Sequence, residues 1–206
     1  MNLKDFWMEM LRAAAIIGVI MAVSHLFEQY LLYMSGVALS TSVVVVCLEG
    51  LAAVMVFVWL LYRYTRRVAK AWNVKVNFGG GVMVDIPFTY GRALSFCLTI
   101  SMLVGVVVGV ANTLLVDSVG FDIYRGAQIE FLGEVANMTN ALSGGESVAS
   151  SEAITEQIEI LEAMERPSIF GNVIAHMTNY MLYGGIVSLV IASVARRNVK
   201  KNVSNE

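Results

Sequence analysis

Six side chains able to do proton or ligand chemistry sit inside stretches that are otherwise almost wholly apolar. They are His25 and Glu28, Glu49, Asn112, His176 and Asn179. Imidazole and carboxylate groups exchange protons, hold polar or cationic ligands and ligate metals, and all of these groups are costly to place in oil. His25 and Glu28 stand one helical turn apart. Glu49 interrupts TSVVVVCLEGLAAVMVFVWLLYRYTRR, residues 41–67, a run that stops at a basic cluster. A charge at the middle of a bilayer costs ~2.5–3.5 kcal/mol on insertion scales. An acid in such a run is therefore protonated, paired or close to water.

Two chemistries follow from these residues. In the first, the six side chains bond to one another across helices and fix their register, each contact contributing ~0.6 kcal/mol on average. In the second, they line a polar cavity in which Glu49, Glu28, His25 and His176 exchange protons or hold a ligand. A zinc site built from His25, His176 and a glutamate is geometrically conceivable. The chain has no Cys/His metal spacing, however, and the expectation is no metal and no cofactor. There is no nucleophile–base pair, phosphate-binding loop or dinucleotide fingerprint, so no enzymatic activity is expected.

The elements that must position these residues are membrane spans. The chain of 206 residues is 57% hydrophobic and 15% charged, against about 25% charged in ordinary soluble domains. Apolar runs cover 10–34, 41–63, 93–116 and 169–195. At 1.5 Å per residue each exceeds the ~30 Å hydrocarbon thickness. The expected fold is an all-α membrane protein, a single transmembrane domain over 1–206 built as a four-helix bundle. Asp5 and Glu9 spoil the basic start that a cleaved leader needs, so the first run reads as a retained helix.

Charge gives the orientation. Lys4 and Arg12 accompany span one. Arg63, Arg66, Arg67, Lys70, Lys75 and Arg92 lie between spans two and three, and Arg196, Arg197, Lys200 and Lys201 follow span four. Between spans three and four there are only Arg125 and Arg166, against ten acids. Lys and Arg stay on the cytoplasmic side. Both termini are therefore expected in the cytoplasm of a bacterium, with residues 117–167 outside its inner membrane. The basic clusters suit anionic lipid headgroups and offer no nucleic-acid surface. With alternate spans antiparallel, the six polar residues fall in one layer of the outer half.

Two segments leave the membrane. In 72–88, Val74, Val76 and Phe78 alternate with polar residues, Gly79-Gly80-Gly81 follows, and Val82, Val84 and Ile86 alternate again, which predicts a β-hairpin resting on helix ends. In 117–167, helices are predicted over 127–142 and from an N-cap at Ser151. Ser143-Gly144-Gly145 separates them, and Pro167 marks the start of span four. This acidic loop is the expected docking surface for a membrane-protein partner. Ser101, Gly105, Gly109 and Thr113 form a small-residue stripe on span three. Gly184, Ser188 and Ala192 form one on span four. The stripes should face each other, with homo-oligomerisation through span three as the rival use. Cys47 and Cys97 should be unpaired and buried.

The stretch GGGVMVDIPFTYGRALSFCLTISMLVGVVVGVANTLLV, with Phe88, Tyr90, Gly91 and Ala93 at the start of its helix, resembles a bacterial inner-membrane family known only as domain of unknown function number forty-one ninety-nine. The closing GGIVSLVIASVARRN is similar to the same family. The resemblance implies four helices with an acidic helical loop before the last, and it implies no active site. The leading expectation is an accessory or scaffold subunit. The alternative is a small proton-coupled transporter or sensor using the Glu/His cluster.

Overall fold

A computed structural model describes residues 3–33, 39–72, 74–77, 83–142 and 148–203, with side chains for 4–31, 44–72, 86–141 and 152–195. The expected link at 35–40 falls largely outside these residues, and the Gly79–Gly81 turn and the Ser143–Gly145 break fall wholly outside them. The elements run α1 (Leu3–Tyr33), α2 (Leu39–Ala71), β1 (Val74–Asn77), β2 (Met83–Ile86), α3 (Tyr90–Val119), α4 (Phe121–Leu142), α5 (Val148–Ala163) and α6 (Ile169–Val203). Helices α1, α2, α3 and α6 are each long and apolar enough to cross a membrane, over Lys4–Leu31, Val44–Ala71, Tyr90–Val119 and Ile169–Ala195. Their apolar content is nearly continuous around the helix, which suits a lipid surround rather than one buried stripe. The chain separates into two compact units.

The first unit comprises residues 1–21, 54–109 and 173–206. Ile17, Leu61, Phe96, Ile100 and Val104 are among its fully buried large side chains. Hydroxyl residues enter this core by bonding their own helices: Thr65 Oγ1 donates to the Leu61 carbonyl at 2.7 Å and Ser101 Oγ to the Cys97 carbonyl at 2.9 Å. Ser188 Oγ donates to the Gly184 carbonyl. Such backbone bonds remove the desolvation cost of a lone hydroxyl.

Two glycines let α3 and α6 close on each other in this unit. A β-carbon on Gly105 would stand 2.6 Å from Met177 Cα and 2.7 Å from the His176 carbonyl oxygen. One on Gly184 would stand 2.5 Å from Ser101 Cβ. Small residues matter here because close backbone approach, not hydrophobicity, holds helices together in lipid.

β1 and β2 pair antiparallel, with Val74 opposite Ile86 and Asn77 opposite Met83. A lone two-stranded pair is marginal in water. Here Trp72 attaches it to the helices: its indole N–H donates to the Ile86 carbonyl at 2.7 Å. The Trp72 ring meets Phe6 and Phe88, each at 5.4 Å between centroids.

The second unit comprises residues 22–53 and 110–172. α3 ends at Gly120, whose φ of 100° is left-handed and whose N–H bonds the Val116 carbonyl at 2.9 Å. Glycine tolerates this conformation without the Cβ penalty. α4 and α5 pack together. Arg125 donates to the carbonyls of Glu162, at 3.2 Å, and Met164, satisfying the end of α5. α5 begins at Val148, so Ser151 lies in its first turn and does not cap it. Ser168 caps α6 instead, accepting from the Gly171 N–H at 3.0 Å. Pro167 precedes that cap, outside the helix.

Cys47 is exposed, contrary to expectation, and Cys97 is buried; both are free. Cys47 lies on α2 within the candidate span Val44–Ala71, most of which is unburied by protein.

Candidate functional site

The polar side chains of the second unit converge from four helices. The last turns of α1 supply Ser24, His25, Glu28 and Gln29. The start of α2 supplies Glu49, the end of α3 Asn112 and Thr113, and the first turn of α6 Asn172. Gln29 and Asn112 are 4% and 3% exposed, so their amides must find partners inside the protein.

They do. His25 Nε2 bonds Asn112 Oδ1 at 3.0 Å. Asn112 Nδ2 donates to Asn172 Oδ1 at 3.3 Å, and Asn172 Nδ2 donates to Thr113 Oγ1 at 2.8 Å. On the other side of the imidazole, Nδ1 stands 3.5 Å from Glu28 Oε2. Ser24 Oγ donates to Glu49 Oε1. Gln128 of α4 donates to Gln29 Oε1 at 2.8 Å, tying α4 to α1.

This geometry fixes the direction of the chain of bonds. With the Asn112 amide nitrogen committed to Asn172, its oxygen accepts, so His25 Nε2 carries hydrogen. The remaining imidazole nitrogen faces a carboxylate oxygen. The arrangement joins a histidine–carboxylate pair to a relay of amides.

Tyr124 of α4 lies close to this chain. Burial pushes its phenol above the ordinary value of 10, a hydrogen bond to Asn112 offsets part of the rise, and the charge of Glu28 adds to it.

Of the six residues expected in one layer, the second unit brings His25, Glu28 and Asn112 into one chain, with Glu49 on the neighbouring Ser24. His176 and Asn179 belong to the first unit. There the His176 carbonyl lies against Gly105, and Asn179 is exposed. Among the small residues, Ser101 faces Gly184 and Gly105 faces the backbone of His176–Met177. Ser188 and Ala192 are fully buried, and Ser188 reaches Cys97. Gly109 is buried, and Thr113 accepts from Asn172.

Sequence reasoning missed Asn172, Ser24, Gln29 and Gln128. Asn172 stands three residues into the span expected at 169–195, too near its end to be counted among the embedded polar residues. Its spacing of seven residues from Asn179 on one helix was the signal that could have found it. Among the described residues, no three His, Cys, Asp or Glu side chains converge on a point that could hold a metal.

Four apolar helices of spanning length, linked by buried amides and glycine contacts, define a polytopic membrane protein. Residues 12–197 match the model of a protein family of unknown function, DUF4199. The chain belongs to that family. No curated protein matches it, and no solved structure does.

Proposed function

We propose that the chain is a non-enzymatic accessory subunit of a membrane assembly. It would lie in a bacterial inner membrane with both termini in the cytoplasm, and α4–α5 would dock a basic segment of a membrane-bound partner outside. The observation that carries this reading is the charge of α4–α5. Glu152, Glu156, Glu159 and Glu162 are exposed. Arg125 is committed to the end of α5 and to Asp122, 3.3 Å away. Exposed Ile123 and Ile160, 61% and 60%, stand among these acids. An acidic surface is repelled by anionic lipid, so a cationic protein segment is the complementary occupant. The test is recovery of partners from membranes with a tagged chain. A Glu156→Lys, Glu159→Lys, Glu162→Lys variant should lose the partner that the native chain retains. Retention of that partner after deletion of residues 124–165 would overturn the reading.

The His25–Glu28 contact favours a second reading, a proton-coupled transporter or sensor. Against it, the polar side chains of the second unit bond one another. Proton flux in vesicles decides between the two: under the accessory reading the native chain, like Glu49→Gln and His25→Asn, stays at the level of empty vesicles, whereas a transporter's native flux exceeds that of both variants.

A further inference from the structure

Near its C-terminal end, α2 carries a groove of about 690 Å³ lined by Trp59, Tyr62, Arg63, Arg66, Arg67 and Lys70. The geometry points to a binding site for an anionic phospholipid, with the headgroup phosphate on the arginines and an acyl chain along the same helix.

Length sets the depth of this groove. The apolar span of α2 runs Val44–Ala71, 28 residues. At 1.5 Å per residue this is about 42 Å, against a ~30 Å hydrocarbon core. About 12 Å of helix, or two turns, must project to headgroup level. The N-terminal part of the span is apolar, whereas Arg63–Lys70 is charged, so the charged end takes the projection. Trp59 and Tyr62 then fall at the interface, where aromatic side chains with a polar edge settle.

Charge sets the ligand. Arg63, Arg66 and Lys70 follow one helix face at spacings of three and four, over about 10 Å. The Arg63 guanidinium lies 5.2 Å from the centre of the Trp59 ring, which holds it in place. Glu9 stands 3.5 Å from Arg67 and partly offsets its charge. Among the described residues, no acid pairs with Arg63, Arg66 or Lys70. Guanidinium groups bind phosphate oxygens through paired N–H donors.

The neighbouring surface separates a lipid from a free phosphate. Continuing the same face toward the middle of the span come Val56 and Met55, 39% and 66% exposed. A phosphate at Arg63–Lys70 would thus have an apolar track beneath it of the kind an acyl chain covers. A soluble phosphate uses only the upper half.

The experiment is thermal unfolding of the full chain in a neutral detergent. Phosphatidylglycerol, phosphatidylcholine or glycerol phosphate is added at matched concentration. A ligand that binds only the folded form raises Tm with its concentration. Phosphatidylglycerol should raise Tm by several degrees, and the other two should not. An Arg63→Gln, Arg66→Gln, Lys70→Gln variant should keep its Tm in phosphatidylcholine and lose the phosphatidylglycerol shift. Arg63→Lys, Arg66→Lys, which keeps the charge without the paired donors, should retain only part of it. An equal shift with glycerol phosphate would overturn the lipid assignment. So would a shift that survives in the glutamine variant, or no shift together with an acidic protein retained by native but not variant arginines.

Discussion

At the scale of single residues, the energetics turn on buried amides bonded across helices. Replacing Asn112 with Leu removes the bond that His25 Nε2 makes and the one that Asn172 Oδ1 accepts. The expected loss is about 1–2 kcal/mol, the upper range for interhelical bonds in membranes. Reversible unfolding in mixed detergent measures it. A double-mutant cycle with Asn172→Leu should return coupling of ~0.6 kcal/mol or more. Tyr124 gives a prediction in alkali. Its folded phenol holds its proton more tightly than the unfolded chain does. Below pH ~10 both states are protonated and Tyr124 contributes no pH dependence. As pH rises past 10 the unfolded chain ionises first, and stability falls. Tyr124→Phe should remove that part of the alkaline loss. It should also remove a phenol that titrates above the ordinary range from the ultraviolet absorbance curve.

At the scale of elements, glycines decide which helices can meet. Gly105→Ala would drive a methyl into the backbone of His176–Met177, which cannot rotate away as a side chain would. A loss of about 1–3 kcal/mol is expected, seen as a lower Tm. Gly185→Ala is the control: its nearest contact is 3.7 Å, to Leu98 Cδ2, and little change is expected. Gly120→Ala should cost ~1 kcal/mol or more through its left-handed backbone. The spans were legible in the sequence because an apolar run of eighteen residues or more matches the thickness of a bilayer and outlasts what a soluble core can bury. The stripes at Ser101–Thr113 and Gly184–Ala192 were legible from the spacing of four. What each glycine would touch was not. The spacing names a face, whereas the partner depends on the register between antiparallel helices, which is why Gly105 meets backbone at Met177 rather than a small residue. His25, Glu28 and Asn112 were likewise legible from their shared depth. Depth says nothing about helix face, and it could not tell Asn172 from His176 or Asn179 as the α6 partner.

At the scale of the whole molecule, the topology proposed from Lys and Arg has a direct test. A reporter inserted near residue 145 should be active only outside the cytoplasm, and reporters at either terminus only inside. Reporters that all fall on one side would remove the basis for an exterior α4–α5 surface.

The amide chain also bears on how the protein is made. Asn112 lies sixty residues before Asn172. At ~5–20 residues per second, the ribosome needs about 3–12 s to reach that partner, and longer to deliver the rest of α6. For that interval the third helix is in place without the asparagine that completes its bond. A chain truncated before the last helix would carry Asn112 without its α6 partner.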